Sequence, residues 1–444
     1  MAMSGVEIFK LLPKTNCKKC GFPTCLAFAM KLAQRQADIS ACPDVSEAAK
    51  ATLGEASAPP IRGIKLGLGD KAAKMGEENV MFRHEKKFVN PCVIALNVAD
   101  TDDVAARAKD VASSEIDRVG QKLRVDAISI EFKSGAAAQY EAAVKAAADN
   151  APESAIILNC ADAAVADAAA KAIAARKPML YGADASNVDA MATVAKAHGL
   201  ILGLKADGIE ALIALVARAK AAGVEDIVLD PGAKNAREIV ELNTQIRRSA
   251  LKKGEKALGY PVLGNCVRED SMVEANIAAV AVAKYASIVL VSAVERWKNL
   301  ALFTLRQNIY TDPQVPMQVP QKVYKIGEPS AEAPLMITTN FSLTYFIVAG
   351  EVENSKVPSR LAVMDCEGLS VLTAWAAGKF TANKIAQFVS EWEEFKEVAN
   401  KELIIPGQVA ILSGALEDKL PGWKITVGPR EANGLPVFLK SRAA

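Results

Sequence analysis

Histidine is nearly absent from this chain, with two in 444 residues, His84 and His198. A lone imidazole without partners rarely marks a site, so His198, just before Gly199, reads as a last-turn helix residue and His84 as a solvated side chain. Charge of one sign is lacking too. Lysine and arginine number 53 against 51 acidic residues, a net charge of +2, which leaves no electrostatic footprint for nucleic acid or an anionic membrane. No apolar run approaches the roughly 20 residues that cross a bilayer, and the opening MAMSGVEIFKLLPKTNCKKC lacks the apolar core of a signal peptide. The expectation is a cytoplasmic protein.

Cysteine is sparse as well, eight in all, but four are gathered at the front: Cys17 and Cys20 flanking two lysines, then Cys25, then Cys42. Such spacing lets a tight loop deliver three thiolates while a helix carries the chain back to the fourth, the signature of a [4Fe–4S] cluster. Structural zinc is the rival occupant, since four thiolates also close a tetrahedral site. Zinc sites, however, usually draw their ligands as two paired knuckles, and only the first pair here is a CxxC. Pro23 and Thr24 lead into Cys25, and residues 26–37 place Leu26, Met30, Ala33 and Ala37 on one helical face. Cys25 is therefore expected at a helix N-terminus, whose unpaired N–H groups favour negative charge. Lys10, Lys14, Lys18, Lys19 and Lys31 add positive field, although such lysines also make an ordinary solvated face. Cys92, Cys160, Cys266 and Cys366 stand singly near expected strands and read as buried reduced thiols.

The chain is too long for one ordinary core. Residues 58–92, with Pro59, Pro60, Gly63, Gly67, Gly69 and Gly76 among many charges, read as a linker or an arm on the next domain. As a flexible tether it would reach roughly 30 Å. From Val93, short apolar strands at 93–98, 127–132, 155–159, 178–182, 201–205, 226–230, 261–265 and 287–291 alternate with alanine-rich amphipathic stretches, the last over 296–310. Eight strand–helix units predict a TIM (β/α)8 barrel, with an open doubly wound sheet as runner-up. Its functional face would present Asn97, Asn159, Lys205, Asp230, Asn265 and Glu295, polar residues expected in any barrel. Prolines at 313, 316, 320 and 329 mark a second boundary. Beyond it, strands at 335–339 and 360–364, a helical stretch 369–387 broken near Gly378, and a strand or strand pair within 404–412 predict a compact α/β domain. The expected domains are 1–57, 58–92 as linker or arm, 93–324 and 325–444.

This order of parts, with NCKKCGFPTCLAFAMKLA at the front and TTNFSLTYFIVAGEV, MDCEGLSVLTAWAAGKF and GPREANGLPVFL at the back, resembles over the whole chain a known family. It is that of the large (gamma) subunit of the corrinoid iron–sulfur protein of the anaerobic acetyl-CoA (Wood–Ljungdahl) pathway. The resemblance implies a methyl carrier rather than an autonomous enzyme. Co(I) of a base-off cobamide would accept a methyl group from methyltetrahydrofolate through a separate methyltransferase. The methyl-Co(III) form would deliver it to acetyl-CoA synthase, and the [4Fe–4S] cluster would return inactive Co(II) to Co(I). Implied partners are a smaller subunit in a heterodimer, the methyltransferase, CO dehydrogenase/acetyl-CoA synthase, and a reductive activator or electron donor, with no nucleic acid and no membrane.

By the same resemblance Cys17, Cys20, Cys25 and Cys42 hold the cluster, and a Rossmann-like module at 325–444 holds the cobamide through Asn340, Phe346, Ser370, Val371, Leu372, Thr373, Gly434 and Pro436. Asn340 offers a donor and an acceptor to corrin amides, Phe346 an apolar cover for the tail base, and the 370–373 turn N–H groups and hydroxyls. Each is equally a turn or cap of any α/β domain. Many corrinoid proteins bind cobalt through the histidine of an Asp-x-His-x-x-Gly loop, and no histidine follows His198. The competing readings are an autonomous barrel methyl-pterin:corrinoid methyltransferase and a plain electron-transfer protein; fold does not choose among them.

Overall fold

The structure, a computed structural model, describes residues 5–33, 37, 39–46, 49–50, 53, 59–69, 71–118 and 120–443. Residues 34–36 of the expected first helix, the 57/58 boundary and both chain ends lie outside the described residues. The chain divides into two compact units, Met1–Ile116 with Leu123–Tyr310, and Asp117–Lys122 with Thr311–Ala444.

In the first unit, helices Gly5–Leu11 and Cys25–Ala33 pack together around Ile8, Leu12, Phe28 and Leu32. Strands β1 (Ile64–Leu66) and β2 (Ala73–Met75) then form an antiparallel hairpin. After β3 (Val93–Ala99) comes a short ribbon of β4 (Ile116–Arg118) and β5 (Gln121–Leu123), whose tip falls in the second unit. There follow β6 (Ala127–Glu131), β7 (Ala155–Asn159), β8 (Met179–Ala183), β9 (Ile201–Lys205), β10 (Ile227–Asp230), β11 (Val262–Asn265) and β12 (Ala286–Val291). Strand β3 and strands β6 to β12 lie in sequence order, and β12 pairs parallel onto β3, so the sheet closes as a (β/α)8 barrel rather than the open runner-up.

Period-two alternation explains the layering. Ile94, Leu96 and Val98 face the helices, while Val93 and Ala95 join Ala127, Ile157, Met179, Val228 and Leu263 inside the barrel. Along the same inward set, side chains turn polar toward the C-terminal strand ends at Asn97, Ser129, Asn159, Tyr181, Asp230 and Asn265. Asp103, Asp162, Asn235 and Asp270 end the strand-to-helix loops and accept N–H groups of the next helix's first turn, which fixes where each helix begins.

Residues 61–69 and 71–92 are a docked arm, not the flexible tether of the linker reading. Ile64, Leu66 and Met75 of the hairpin are buried with the interior side chains of the barrel strands and stopper it. Arg62 donates to Asp226 at 2.8 Å, and its N–H to the Gly259 carbonyl. Gly76 takes a left-handed φ of 78° with its α-carbon against the Arg62 carbonyl, 1.9 Å from where a Cβ would stand, so only glycine fits. Farther on, Arg247 holds the buried Glu78 carboxylate at 3.1 Å, donates to the Val80 carbonyl, and lies over both Phe88 and Tyr285, whose rings meet edge to face.

The second unit carries one five-stranded sheet of β13 (Lys322–Ile326), β14 (Leu335–Thr339), β15 (Ser359–Met364), β16 (Glu402–Ile405) and β17 (Lys424–Val427), in the order 13-15-14-16-17. Only β13 is antiparallel. One face packs on helices Val371–Ala376, Ala382–Glu391 and Ser413–Lys419, the other on Ser342–Ser355 and Leu435–Ala443. The barrel's last helix, Arg296–Tyr310, ends well before the expected 324/325 boundary. Strand β13 was hidden because five residues framed by prolines carry too short an alternation to register. Residues 407–412 are 3-10 turn, not strand. Among the described residues no helix is long and apolar enough to cross a membrane.

Candidate functional site

The cysteine loop is built on left-handed residues at every second position, Lys14, Asn16 and Lys18, with Gly21 beyond them. This curl keeps the segment from pairing as a strand. Asn16 locks it: its Oδ1 accepts the Cys25 N–H at 2.8 Å, and its own N–H points at the Cys25 sulfur at 3.4 Å. Cys25 opens helix Cys25–Ala33, and the Thr24 hydroxyl accepts the Ala27 N–H as its cap. Lys19 bridges from the loop to Asp44, just past Cys42, at 3.1 Å. The hydrogen bond and charge of Asp44 hold the Lys19 pKa above its ordinary value.

Cys25 and Cys42 are buried, Cys20 half-buried and Cys17 exposed, against an apolar wall that includes Phe22 and Phe28. Among the described residues no three His, Cys, Asp or Glu side chains converge as ligands of one metal ion. The other four cysteines are buried free thiols, burial pushing Cys160 up to about 11 and Cys266 and Cys366 to about 12. His198 pairs with Asp167 at 2.7 Å at its helix end, and His84 stacks on Phe82.

The polar residues at the barrel's C-terminal mouth satisfy one another. Asn97 accepts from Ser129 and Asn159 and donates to Glu131; Tyr181 donates to Asp230. Burial raises the Asp230 carboxyl above its ordinary range, opposed by Tyr181 and the Gly232 N–H. Glu295 accepts from Ser271 and pairs with the fully buried Lys298, which also holds Glu274 at 2.6 Å. Lys205 is exposed at the end of β9.

In the second unit the sheet opens where its winding reverses. From β14 the chain goes to β15 on one side and then returns to β16 on the other, a topological switch point. There β14 and β16 share a single register pair, Met336 with Ile404, whereas β14 and β15 share five. A crevice of about 400 Å³ lies along Met336, Thr338, Ile347, Val371, Ile405 and Leu435, with Gln408 and Arg430 also at its wall. That is within the usual size of a small-molecule site. Ile347 and Leu372 in its wall are about half exposed, apolar surface that water does not favour.

Ser370, Val371 and Leu372 line this crevice; Thr373 does not, its hydroxyl lying 3.0 Å from that of Ser370. Asn340 is 2% exposed and fully engaged: Oδ1 accepts from the Cys366 and Gly368 N–H groups, and Nδ2 donates to Gln318 and Asp365. It fastens the loop after β15. Phe346 packs edge-on against Tyr345, outside the crevice lining. Gly434 lies close against Pro429 and Pro436 sits in the helix behind it, while residues 428–432 and Leu435 reach the crevice. Thr338 was missed. The alternation that pairs it with Met336 on one face of β14 would have found it.

A cysteine-bearing head, a stoppered (β/α)8 barrel and an α/β unit open at its switch point define the class, a multidomain barrel protein. Its relatives narrow this. A family model described as "Putative Fe-S cluster" matches residues 12–43, and that of the CO dehydrogenase/acetyl-CoA synthase delta subunit matches residues 63–439. The chain is 42% identical to the corrinoid/iron-sulfur protein large subunit of Moorella thermoacetica, covering 100% of both chains. It is 34% identical to the acetyl-CoA decarbonylase/synthase complex subunit gamma of Methanopyrus kandleri, covering 99% of this chain and 97% of that one. The solved dihydropteroate synthase of Thermus thermophilus is similar at 19% identity and a TM-score of 0.39, over 55% of this chain and 99% of that one. The chain belongs to the family of corrinoid/iron–sulfur protein large (gamma) subunits.

Proposed function

We propose that this protein carries a methyl group in the acetyl-CoA pathway. It would hold a base-off cobamide in the second unit and a [4Fe–4S] cluster on Cys17, Cys20, Cys25 and Cys42. Bound there, the corrinoid supplies a nucleophilic cobalt that accepts and releases the methyl group, and the cluster supplies the single electron that rescues it after oxidation. The observation that carries this reading is a crevice at a switch point in a unit with no histidine.

This chain's residues do the holding. The apolar walls at Ile347, Val371 and Leu435 favour a planar apolar group over water, and Ser370 sits at the start of a helix beside the crevice. Asn340 keeps the 365–369 loop in place beside that helix start. No imidazole is available in residues 311–444, so a histidine ligand to cobalt would have no source in this unit. In the head, the Asn16-locked loop turns the Asn16 N–H toward the Cys25 sulfur, while Asn16 Oδ1 holds the Cys25 N–H at the helix start, and a cubane cluster takes each thiolate on a different iron rather than gathering all four on one ion.

The working modules are then a head, 1–57; the arm; the barrel, ending at Tyr310; and a Rossmann-like cobamide module from Thr311. The proposed partners are the smaller subunit in a heterodimer, a methyltetrahydrofolate:corrinoid methyltransferase, CO dehydrogenase/acetyl-CoA synthase and a reductive electron donor, in the cytoplasm. The test is EPR of the Co(II) protein, expected without nitrogen splitting, together with Ser370→Trp, expected to lower corrinoid occupancy and spare the cluster. Strong nitrogen splitting overturns the base-off assignment. Full occupancy in Ser370→Trp moves the site elsewhere.

A further inference from the structure

We propose that Thr338 selects the lower base of the bound cobamide, favouring a base with a ring nitrogen over a phenolic base. The inference rests on the reading that the crevice takes the nucleotide tail. Thr338 lines that crevice, is 2% exposed, and its hydroxyl has no hydrogen-bond partner in the protein. A buried unpaired hydroxyl is costly and rare enough to require a reason. Packing supplies none, because valine has the same shape and suits a strand interior as well.

The neighbouring hydroxyls do not serve in its place. Thr339 is also unpartnered, but it faces the other side of β14 and does not line the crevice. Ser370 lines the crevice, yet its hydroxyl is already within 3.0 Å of that of Thr373. Thr338 is thus an unpaired donor among the apolar side chains Met336, Ile347, Val348, Ile404 and Leu435, in a crevice that Thr344, Gln408, Arg430 and Glu431 also line. Such a crevice accepts a flat apolar ring, and of the side chains lining it Thr338 alone has a buried polar atom left without a partner. A benzimidazole-type base answers with an in-plane lone pair on nitrogen. A phenolic base, joined to its ribose through oxygen, has no such lone pair, and on entering it would leave the threonine hydroxyl as unpaired as it is in the empty crevice.

The test is equilibrium binding of a benzimidazolyl cobamide, a phenolyl cobamide and tail-less cobinamide to the full chain, read by visible absorbance, for wild type, Thr338→Val and Thr338→Ser. The cost of detaching benzimidazole from cobalt is the same for every variant and cancels in the comparison. One unmade buried hydrogen bond predicts that Thr338→Val lowers the benzimidazolyl-over-phenolyl preference by about tenfold and that Thr338→Ser retains it. An unchanged preference in Thr338→Val overturns the role of Thr338 while leaving the crevice reading intact. If wild type binds neither tailed cobamide more tightly than cobinamide, the crevice reading fails and the inference falls with it.

Discussion

Replacing Arg247 with leucine should unlatch one half of the arm and leave the other half docked. Arg247 and Glu78 are 4% and 6% exposed, and Glu78 also accepts the Val89 N–H. Removing the guanidinium strands a buried carboxylate, frees the Val80 carbonyl and removes the cation over the rings of Phe88 and Tyr285. Breaking a buried pair from one side costs about 3–5 kcal/mol. The hairpin is held independently by Ile64, Leu66 and Met75, at about 1.5–3 kcal/mol for each buried side chain. The loss at Arg247 therefore falls short of undocking the whole arm. In hydrogen exchange, amides of residues 78–90 should lose about 10²–10⁴-fold protection, the equivalent of that cost at 1.36 kcal/mol per factor of ten, while 64–66 and 73–75 stay protected. Arg247→Lys, which keeps charge without the planar fork, should fall between. Unchanged exchange at 78–90 in Arg247→Leu would refute the latch, and fast exchange across 61–92 in wild type would refute the docked arm altogether.

Three further outcomes are expected. Cys20→Ala or Cys25→Ala should abolish the iron–sulfur absorbance while circular dichroism of the barrel persists and corrinoid is still bound; global loss of helix would refute an independent head. Asp230→Asn should raise Tm near neutral pH and change little below the ordinary carboxylate range. A carboxyl raised in the folded state costs stability once pH climbs past its unfolded value, and the full cost is present above the folded one; an equal effect at both pH values would show that burial of charge is not the cause. Asn340→Ala leaves the Cys366 and Gly368 N–H groups unpaired, about 1–3 kcal/mol each, and should lower the Tm of the second unit and loosen the 365–369 loop, measured by hydrogen exchange; retention of both would refute the clamp.

What was legible in the sequence was what repeats. Eight strand–helix units announce a barrel because each unit repeats the same apolar rhythm, and four cysteines stand out because their spacing is itself the signal. The arm was illegible for the opposite reason. Ile64, Leu66 and Met75 lie among glycines and charges, and only the barrel interior, formed by strands far along the chain, makes them core. Asn340 shows a second limit. Its polarity and position at a strand end suit a ligand contact, yet four local hydrogen bonds consume it, and nothing in the sequence distinguishes a clamp from a contact. Thr338 errs the other way: a β-branched residue inside a strand looks like packing until its hydroxyl proves to be alone.

At the switch point the walls of the crevice are drawn from both central strands, Met336 and Thr338 on β14 and Ile404 and Ile405 on β16. Apolar surface on both strands is left for a guest to cover. Whatever enters the crevice therefore bridges the two strands as well as filling the space beside them, and the cohesion of this unit and its affinity for a guest become two readings of one free energy. Emptied, the unit should be the softer part of the molecule. Filled, it gains RT ln(1 + [L]/Kd), so its melting curve doubles as a gauge of occupancy.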